Sequence, residues 1–420
     1  MNGTPRRIFG GAFCVSCAVA ALIPFAGVAA QAKDTLIVAR DVKIGMRTGA
    51  PLRARIYRLS GKTLRPAVLS LEADASEARD RRARELAAAG FAVVIAAPRG
   101  GDDKHTGRDG YDAVEWINDQ SWSDRRIIMA GAGEGANAAW SAAREHPPHL
   151  AAILARAPAR PLGWTQTEIE RTTVAALSIA GSAGTEQGTA IEIDSVYSTT
   201  PRLGGEPEAF LVIGSLSDAT LADLEREWFD WAAGRTPPPP LLRNRVNYLV
   251  ANDSTWRAAL SLEAIHVVPT RFPLHTNAGP RNAPGGFLGD AARDEEPVDT
   301  VADGGKEYKT LLGAPLDIAG RPSVTLWLDR APQAGVTVAV DEMMAGGGTF
   351  SLGQSAGRQM PADSTAPRNA PRRWDFGEFA WTARTLLAGS TLRLTVQAAG
   401  AVIYHDTDHY SRVILPAIRH

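Results

Sequence analysis

The stretch from residue 124 to residue 146, DRRIIMAGAGEGANAAWSAAREH, constrains the chain more than any other. Arg126 to Ala130 is short and apolar, and predicts a buried strand. Gly131, Gly133 and Gly135 follow at alternate positions, and glycine takes a positive φ without steric cost. Ala136, Ala139, Trp140 and Ala143 then recur at helical spacing, which predicts a helix with one apolar face. Strand, sharp glycine turn and helix together are a unit of a parallel sheet.

The frame Gly131-Ala132-Gly133-Glu134-Gly135 has the spacing of G-x-S-x-G, with glycine at the position of the serine. In α/β-hydrolases that strained turn lifts a catalytic hydroxyl above the sheet. A plain glycine-rich turn between strand and helix fits the same residues. A dinucleotide fingerprint does not, because it needs glycine at 136, which is alanine, and an acidic strand end about 20 residues later.

A chain of 420 residues predicts two domains behind any targeting segment. Lys and Arg total 45 against 46 Asp and Glu, so no global field draws the protein to nucleic acid or to an anionic membrane surface. Residues 1–32 read as a secretory signal: Arg6 and Arg7, an apolar run, then Ala30-Gln31-Ala32. Arg6-Arg7-Ile8-Phe9 resembles a twin-arginine signal, and the apolar run is too short for a stable membrane span. The expectation is therefore an exported protein, periplasmic or secreted. Cys14 and Cys17 both lie in this segment, so the mature chain would carry no thiol, disulfide or cysteine metal ligand.

The pattern along the chain predicts an α/β domain over residues 33–235, a proline linker over 236–241 and a β-sandwich over 242–420. Thr35 to Val42 and Leu52 to Tyr57 suit an opening hairpin. Apolar strands are expected at Pro66 to Leu71, Phe91 to Ala96, Leu150 to Leu154, Val174 to Ala180 and Ala209 to Gly214. Helices are expected at Ser76 to Ala89, Asp109 to Asn118 and Leu221 to Ala233. After Pro237 to Pro240 the pattern turns to alternating strands, at Val246 to Val250, Ala264 to Val268, Ser323 to Leu328, Gly335 to Val340, Leu392 to Gln397 and Ala401 to Tyr404. Residues 276–306 and 353–373 read as polar, proline-rich loops.

Taken together, LAAAGFAVVIAAPRGG, GRDGYDAVEWINDQSWSDRRIIMAGAGEGANAAW and FLVIGSLSD, with a sandwich after the linker, resemble the CocE/NonD and X-Pro dipeptidyl-peptidase serine hydrolases. The resemblance implies an α/β-hydrolase domain with a Ser-Asp-His triad, a helical cap and a jelly-roll domain, acting on acyl esters, amides or X-Pro peptides. Carried over position by position, the family serine falls on Gly133, the tyrosine beside it on Glu134, the histidine on Asp218 and the acid near Gly184. The tyrosine that donates to the oxyanion falls near Asp74, and only Pro158 to Thr172 occupies the place of the cap. Acyl transfer needs a nucleophile, a base and donors for the developing oxyanion. Gly133 offers no nucleophilic atom, and a carboxylate is a poor substitute for an imidazole near neutrality. The reading is a degenerate member that binds a small molecule or peptide, with an active hydrolase using a relocated nucleophile as the alternative.

Other groups were weighed against that reading. Asp74, Glu134, Ser182, Ser215 and Ser217 are candidates for the pocket rim, and the three acids Asp74, Glu134 and Asp218 would converge there as a site for a cation. Ser178 and a loop residue, His105, are expected on the same rim. His405-Asp406-Thr407-Asp408-His409 has metal-like content but reads as a loop between strands, and prolines break the helical spacing of Glu145-His146-Pro147-Pro148-His149. Trp228 and Trp231 read as core. No metal and no cofactor is expected, and nothing in the sequence fixes an oligomeric state.

Overall fold

The computed structural model describes residues 34–72, 76–158, 174–180, 209–214, 216–252, 254–277, 285–329, 335–359, 370–377 and 379–419. Leu36–His420 form one compact unit. Ten strands make the first sheet: β1 (Leu36–Ile44), β2 (Leu52–Leu59), β3 (Arg65–Leu71), β4 (Ala92–Ala96), β5 (Ser123–Gly133), β6 (Leu150–Pro158), β7 (Ala175–Ala180), β8 (Ala209–Ile213), β9 (Val246–Val250) and β10 (Thr255–Ala259). Their spatial order is β1-β2-β4-β3-β5-β6-β7-β8-β9-β10. Strands β4, β3 and β5 to β9 run parallel, with the antiparallel β1–β2 pair at one edge and β10 at the other.

Among the described residues four helices cover this sheet: α1 (Glu77–Ala88), α2 (Asp103–Asn118), α3 (Glu134–Arg144) and α4 (Asp218–Ala232). A short polar side chain starts three of them. Ser76, Asp102 and Ser217 accept from the backbone N–H groups of Arg79, His105 and Thr220, satisfying donors that no helical carbonyl reaches. The alternation of the strands then sorts the helices onto two faces. Leu69, Val94, Ile127, Met129 and Ile153 meet Val114 and Ile117 of α2 and Ala136, Ala139, Trp140 and Ala143 of α3. Val68, Val93, Ile128 and Leu154 point the other way, toward Ala83 and Leu86 of α1 and Trp228 and Phe229 of α4. Trp228 is fully buried and meets Phe210 edge to face at 6.1 Å, so it belongs to the core as expected.

The first sheet extends past the expected boundary at 236–241. Val246 to Val250, expected in the sandwich, instead pairs in parallel with Leu211–Ile213. The cause is α4, which returns the chain to the start of the sheet, so that the prolines lie inside a helix-to-strand crossover. The following hairpin, Val250↔Thr255, copies the alternation of a sandwich strand and hides the change of partner. Helix α2 also begins six residues before Asp109, the expected start, because Asp102 caps it.

The second part of the chain is all β and mostly antiparallel. Residues 267–273 of the strand Val267–Thr276 pair with Arg412–Ile418, and Thr391–Gln397 lies between Lys306–Leu311 and Thr337–Met343. Leu326, Val340, Leu392, Leu394, Val413 and Leu415 fill its core. Ala264 to Val268 is not one strand: a 3-10 turn at Glu263–Ile265 precedes the strand that starts at Val267. Two regions read as loops hold paired residues: Gly286–Leu288 lies within 276–306, and the last four residues of the strand Thr349–Ala356 lie within 353–373. The two parts meet where Asn252 Nδ2 donates to the carbonyl of Thr385 at 2.6 Å and Tyr248 packs edge-on against Trp381 at 5.6 Å.

Beneath the 285–306 segment lies a buried ionic group. Asp299 accepts from Tyr308 Oη at 2.9 Å, pairs with Lys306 Nζ at 3.0 Å and lies 3.3 Å from His405 Nε2. His275 Nδ1 meets Glu296 at 2.6 Å. Burial opposes the charge on Asp299, but the bonds from His405, Lys306 and Tyr308 outweigh it and hold its pKa at about 2. The folded pKa lies below the ordinary value of 3.8, so the stabilisation is present above that value and disappears as pH falls toward about 2. It amounts to on the order of 2 kcal/mol. Urea unfolding of the wild type should weaken by about that much between pH ~5 and ~2, while Asp299→Asn should show a flatter profile. Equal slopes for the two proteins would refute the assignment.

Candidate functional site

The site is built on the end of β5. Its last residue, Gly133, has φ +56° and ψ −121° and stands immediately before α3. This is the conformation of the first central residue of a type II′ turn, the mirror image of type II, where glycine fits and other residues are strained. The flanking glycines are needed for a different reason. A Cβ on Gly131 would lie 2.3 Å from the backbone carbon of Gly135, and one on Gly135 would lie 2.6 Å from a carboxylate oxygen of Glu72. Strand and helix therefore touch through bare backbone. At Gly133 a Cβ would meet no atom of the described residues within 4 Å.

Glu72 is the acidic residue that reaches this turn. It follows β3 directly, its amide donates to the Ala96 carbonyl at 3.0 Å, and its carboxylate accepts from the Ala132 amide at 3.3 Å while pairing with Arg79. The sequence reading missed it and placed the acid of this connection at Asp74, which lies outside the described residues. A lone glutamate one residue past an apolar strand gives no signal of its own; only the close approach of β3 and β5 reveals it.

The remaining candidates divide. Glu134 is exposed in the first turn of α3, where a negative charge complements the helix dipole. Asp218 is likewise exposed, the first residue of α4 beyond β8. Ser217 is occupied as a cap, its hydroxyl 3.1 Å from the Thr220 amide and 2.8 Å from the Thr220 hydroxyl. Ser178 is not on a rim: it sits inside β7 between Ala155 and Leu211, fully buried, with no partner for its hydroxyl among the described residues. His105 is in the first turn of α2 rather than in a loop, its Nδ1 2.7 Å from Asp102. The bond from the His105 amide is the main cause of a lowered Asp102 pKa. Gly184, Ser182 and Ser215 fall outside the described residues.

Among the described residues, no group of three or more His, Cys, Asp or Glu side chains is placed to hold a metal ion. His405 is buried against Glu296 and Asp299, and His409 turns away to Asp406 at 3.1 Å, so the two histidines of that segment serve separate contacts. No helix of the described residues is long and apolar enough to cross a membrane.

The family model of the X-Pro dipeptidyl-peptidases (S15 family) matches residues 49–260, half of the chain. The chain belongs to this family of CocE/NonD hydrolases. The match ends at residue 260, one residue past β10, consistent with a first sheet that runs through β10. None of the curated proteins compared with it matches the chain. Among solved structures, a CocE/NonD family hydrolase from Staphylococcus aureus is 14% identical with a TM-score of 0.66, covering 91% of this chain and 94% of its own. An α-amino acid ester hydrolase is 16% identical with a TM-score of 0.69, covering 95% of this chain and 100% of its own. An aminopeptidase from a marine sediment archaeon, Thaumarchaeota archaeon, is 11% identical with a TM-score of 0.66, covering 91% and 97%. At these identities the likeness is one of fold, and it extends over both parts of the S15-family chain.

Proposed function

We propose that this S15-family chain performs no acyl transfer at its elbow and instead binds a small molecule or peptide above it. The observation that carries the proposal is Gly133: the elbow backbone is kept at φ +56° and ψ −121° on a residue without a nucleophilic atom. Loss of the nucleophile alone costs on the order of a million-fold in turnover where it has been measured in a serine hydrolase, and further losses add little. The exposed carboxylate of Asp218 at the family histidine position, and glycine at 184 near the family acid, support the same reading. A relocated nucleophile finds no support in Ser178, which is buried, or in Ser217, which caps a helix. Among the described residues nothing stands within 4 Å of a Cβ at Gly133, which supports access of a ligand to the end of the sheet. Residues 1–32 support export, so the protein recovered from a periplasmic or culture fraction should begin near residue 33.

The test is turnover of p-nitrophenyl esters and of X-Pro p-nitroanilides by the mature protein. The expected rate is that of buffer and is unchanged in Gly133→Ala. Saturable turnover with a purified, homogeneous sample would remove the proposal.

A further inference from the structure

A cavity of about 290 Å³ lies on the face of the first sheet opposite α2 and α3, between α1 and α4. Native cores hold few voids larger than a water molecule, and at ~30 Å³ per water-sized group this one has room for about ten heavy atoms. Its floor is apolar: Val93 and Ile95 of β4, Leu154 of β6, Leu86 of α1 and Phe229 of α4. Its polar wall is ionic and spans the two helices. Glu225 of α4 accepts from Arg82 of α1 at 3.2 Å and from Arg156 of β6 at 3.1 Å, while Glu72 pairs with Arg79.

Exposure orders these charges. The side chains of Arg82 and Arg156 are 34% and 40% exposed, whereas those of Glu225 and Glu72 are 10% and 11% exposed. Among the charges that line the cavity, an arriving molecule therefore meets guanidinium before Glu225 or Glu72, while the exposed Glu85, outside the lining, also pairs with Arg82 at 3.4 Å. Guanidinium presents a planar fork of donors that matches a carboxylate. We propose that this cavity is a binding site for an aliphatic monocarboxylate of about eight carbons, its tail on Val93, Ile95, Leu154 and Phe229 and its head between Arg82 and Arg156. The cavity shares Glu72, Gly131 and Ala132 with the elbow turn, but the proposed ligand contacts use none of these residues, so the proposal stands whether or not the elbow is catalytic.

Calorimetry of the mature protein with sodium octanoate tests it. Binding should be one to one, at least tenfold weaker in Arg156→Gln, in which Arg82 still pairs with Glu225, and abolished in Ala83→Phe, which fills the cavity from α1. Octylammonium chloride, with the same tail and the opposite charge, should not bind. Thermal melts establish whether Ala83→Phe is folded. A diazirine-bearing octanoate needs no variant and should crosslink the wild type at α1, α4, β4 or β6. Absence of octanoate binding, equal binding of octylammonium, undiminished affinity in folded Ala83→Phe, or crosslinks confined to other parts of the chain would overturn the proposal.

Discussion

Gly131→Ala should destabilise the protein by about 3 kcal/mol or more, whereas Gly133→Ser, two residues away, should cost only about 1–2 kcal/mol. The two positions differ in what limits them. At 131 the new methyl would stand 2.3, 2.5 and 2.8 Å from three backbone atoms of Gly135, in the first turn of α3. Backbone of a helix that is packed on its sheet face through Ala136, Ala139 and Trp140 cannot retreat by the ångström required. At 133 no atom of the described residues lies within 4 Å of the new Cβ, and the penalty is the positive-φ backbone at +56°. Gly135→Ala should fall between them, because the atom it strikes is the carboxylate end of Glu72, a side chain that can move at the expense of its bonds to Ala132 and Arg79. Urea unfolding of the three variants checks the order. A Gly133→Ser variant less stable than Gly131→Ala would mean that the turn has some other geometry.

Glu342→Leu should be as damaging, at about 3–5 kcal/mol, the cost of leaving one partner of a buried ion pair uncompensated. Glu342 is fully buried and Arg384 is 5% exposed. The guanidinium donates to Glu342 Oε2 at 2.6 Å and lies 3.9 Å over the ring of Phe350. The other carboxylate oxygen accepts from the Leu387 amide at 2.9 Å, so the glutamate ties two strands and the turn after one of them. Removing both charges is a different experiment. The double variant Glu342→Leu with Arg384→Met should recover most of the loss, since similarly sized apolar residues avoid the desolvation of both ions and leave only the Leu387 amide without its acceptor. A double variant no more stable than Glu342→Leu alone would show that the pair holds the sandwich by geometry rather than by mutual compensation.

Much of the first sheet could be read from the sequence because its strands are buried on both faces. Phe91 to Ala96 or Leu150 to Leu154 has no polar residue to obscure it. The glycine frame at 131–135 was legible as well, Gly131 being demanded by the backbone of Gly135 and Gly135 by the side chain of Glu72. The domain boundary was not, because proline runs mark exposed connections of any kind and cannot say which sheet the next strand joins. Strands such as Thr349–Ala356, with one exposed face and many polar residues, look like loops until their partners are known. Glu72 and the group around Asp299 were hidden for a related reason. Each depends on charged residues far apart in the chain meeting in the fold, and neither has a local spacing to betray it.

The central claim is that the elbow of this S15-family chain carries no nucleophile. Its most direct test is intact-mass spectrometry of the mature protein after exposure to a fluorophosphonate, with an active serine hydrolase treated in parallel. The account predicts an unshifted mass while the control is fully labelled. A stoichiometric adduct, mapped to one serine and lost when that serine is replaced by alanine, would contradict it.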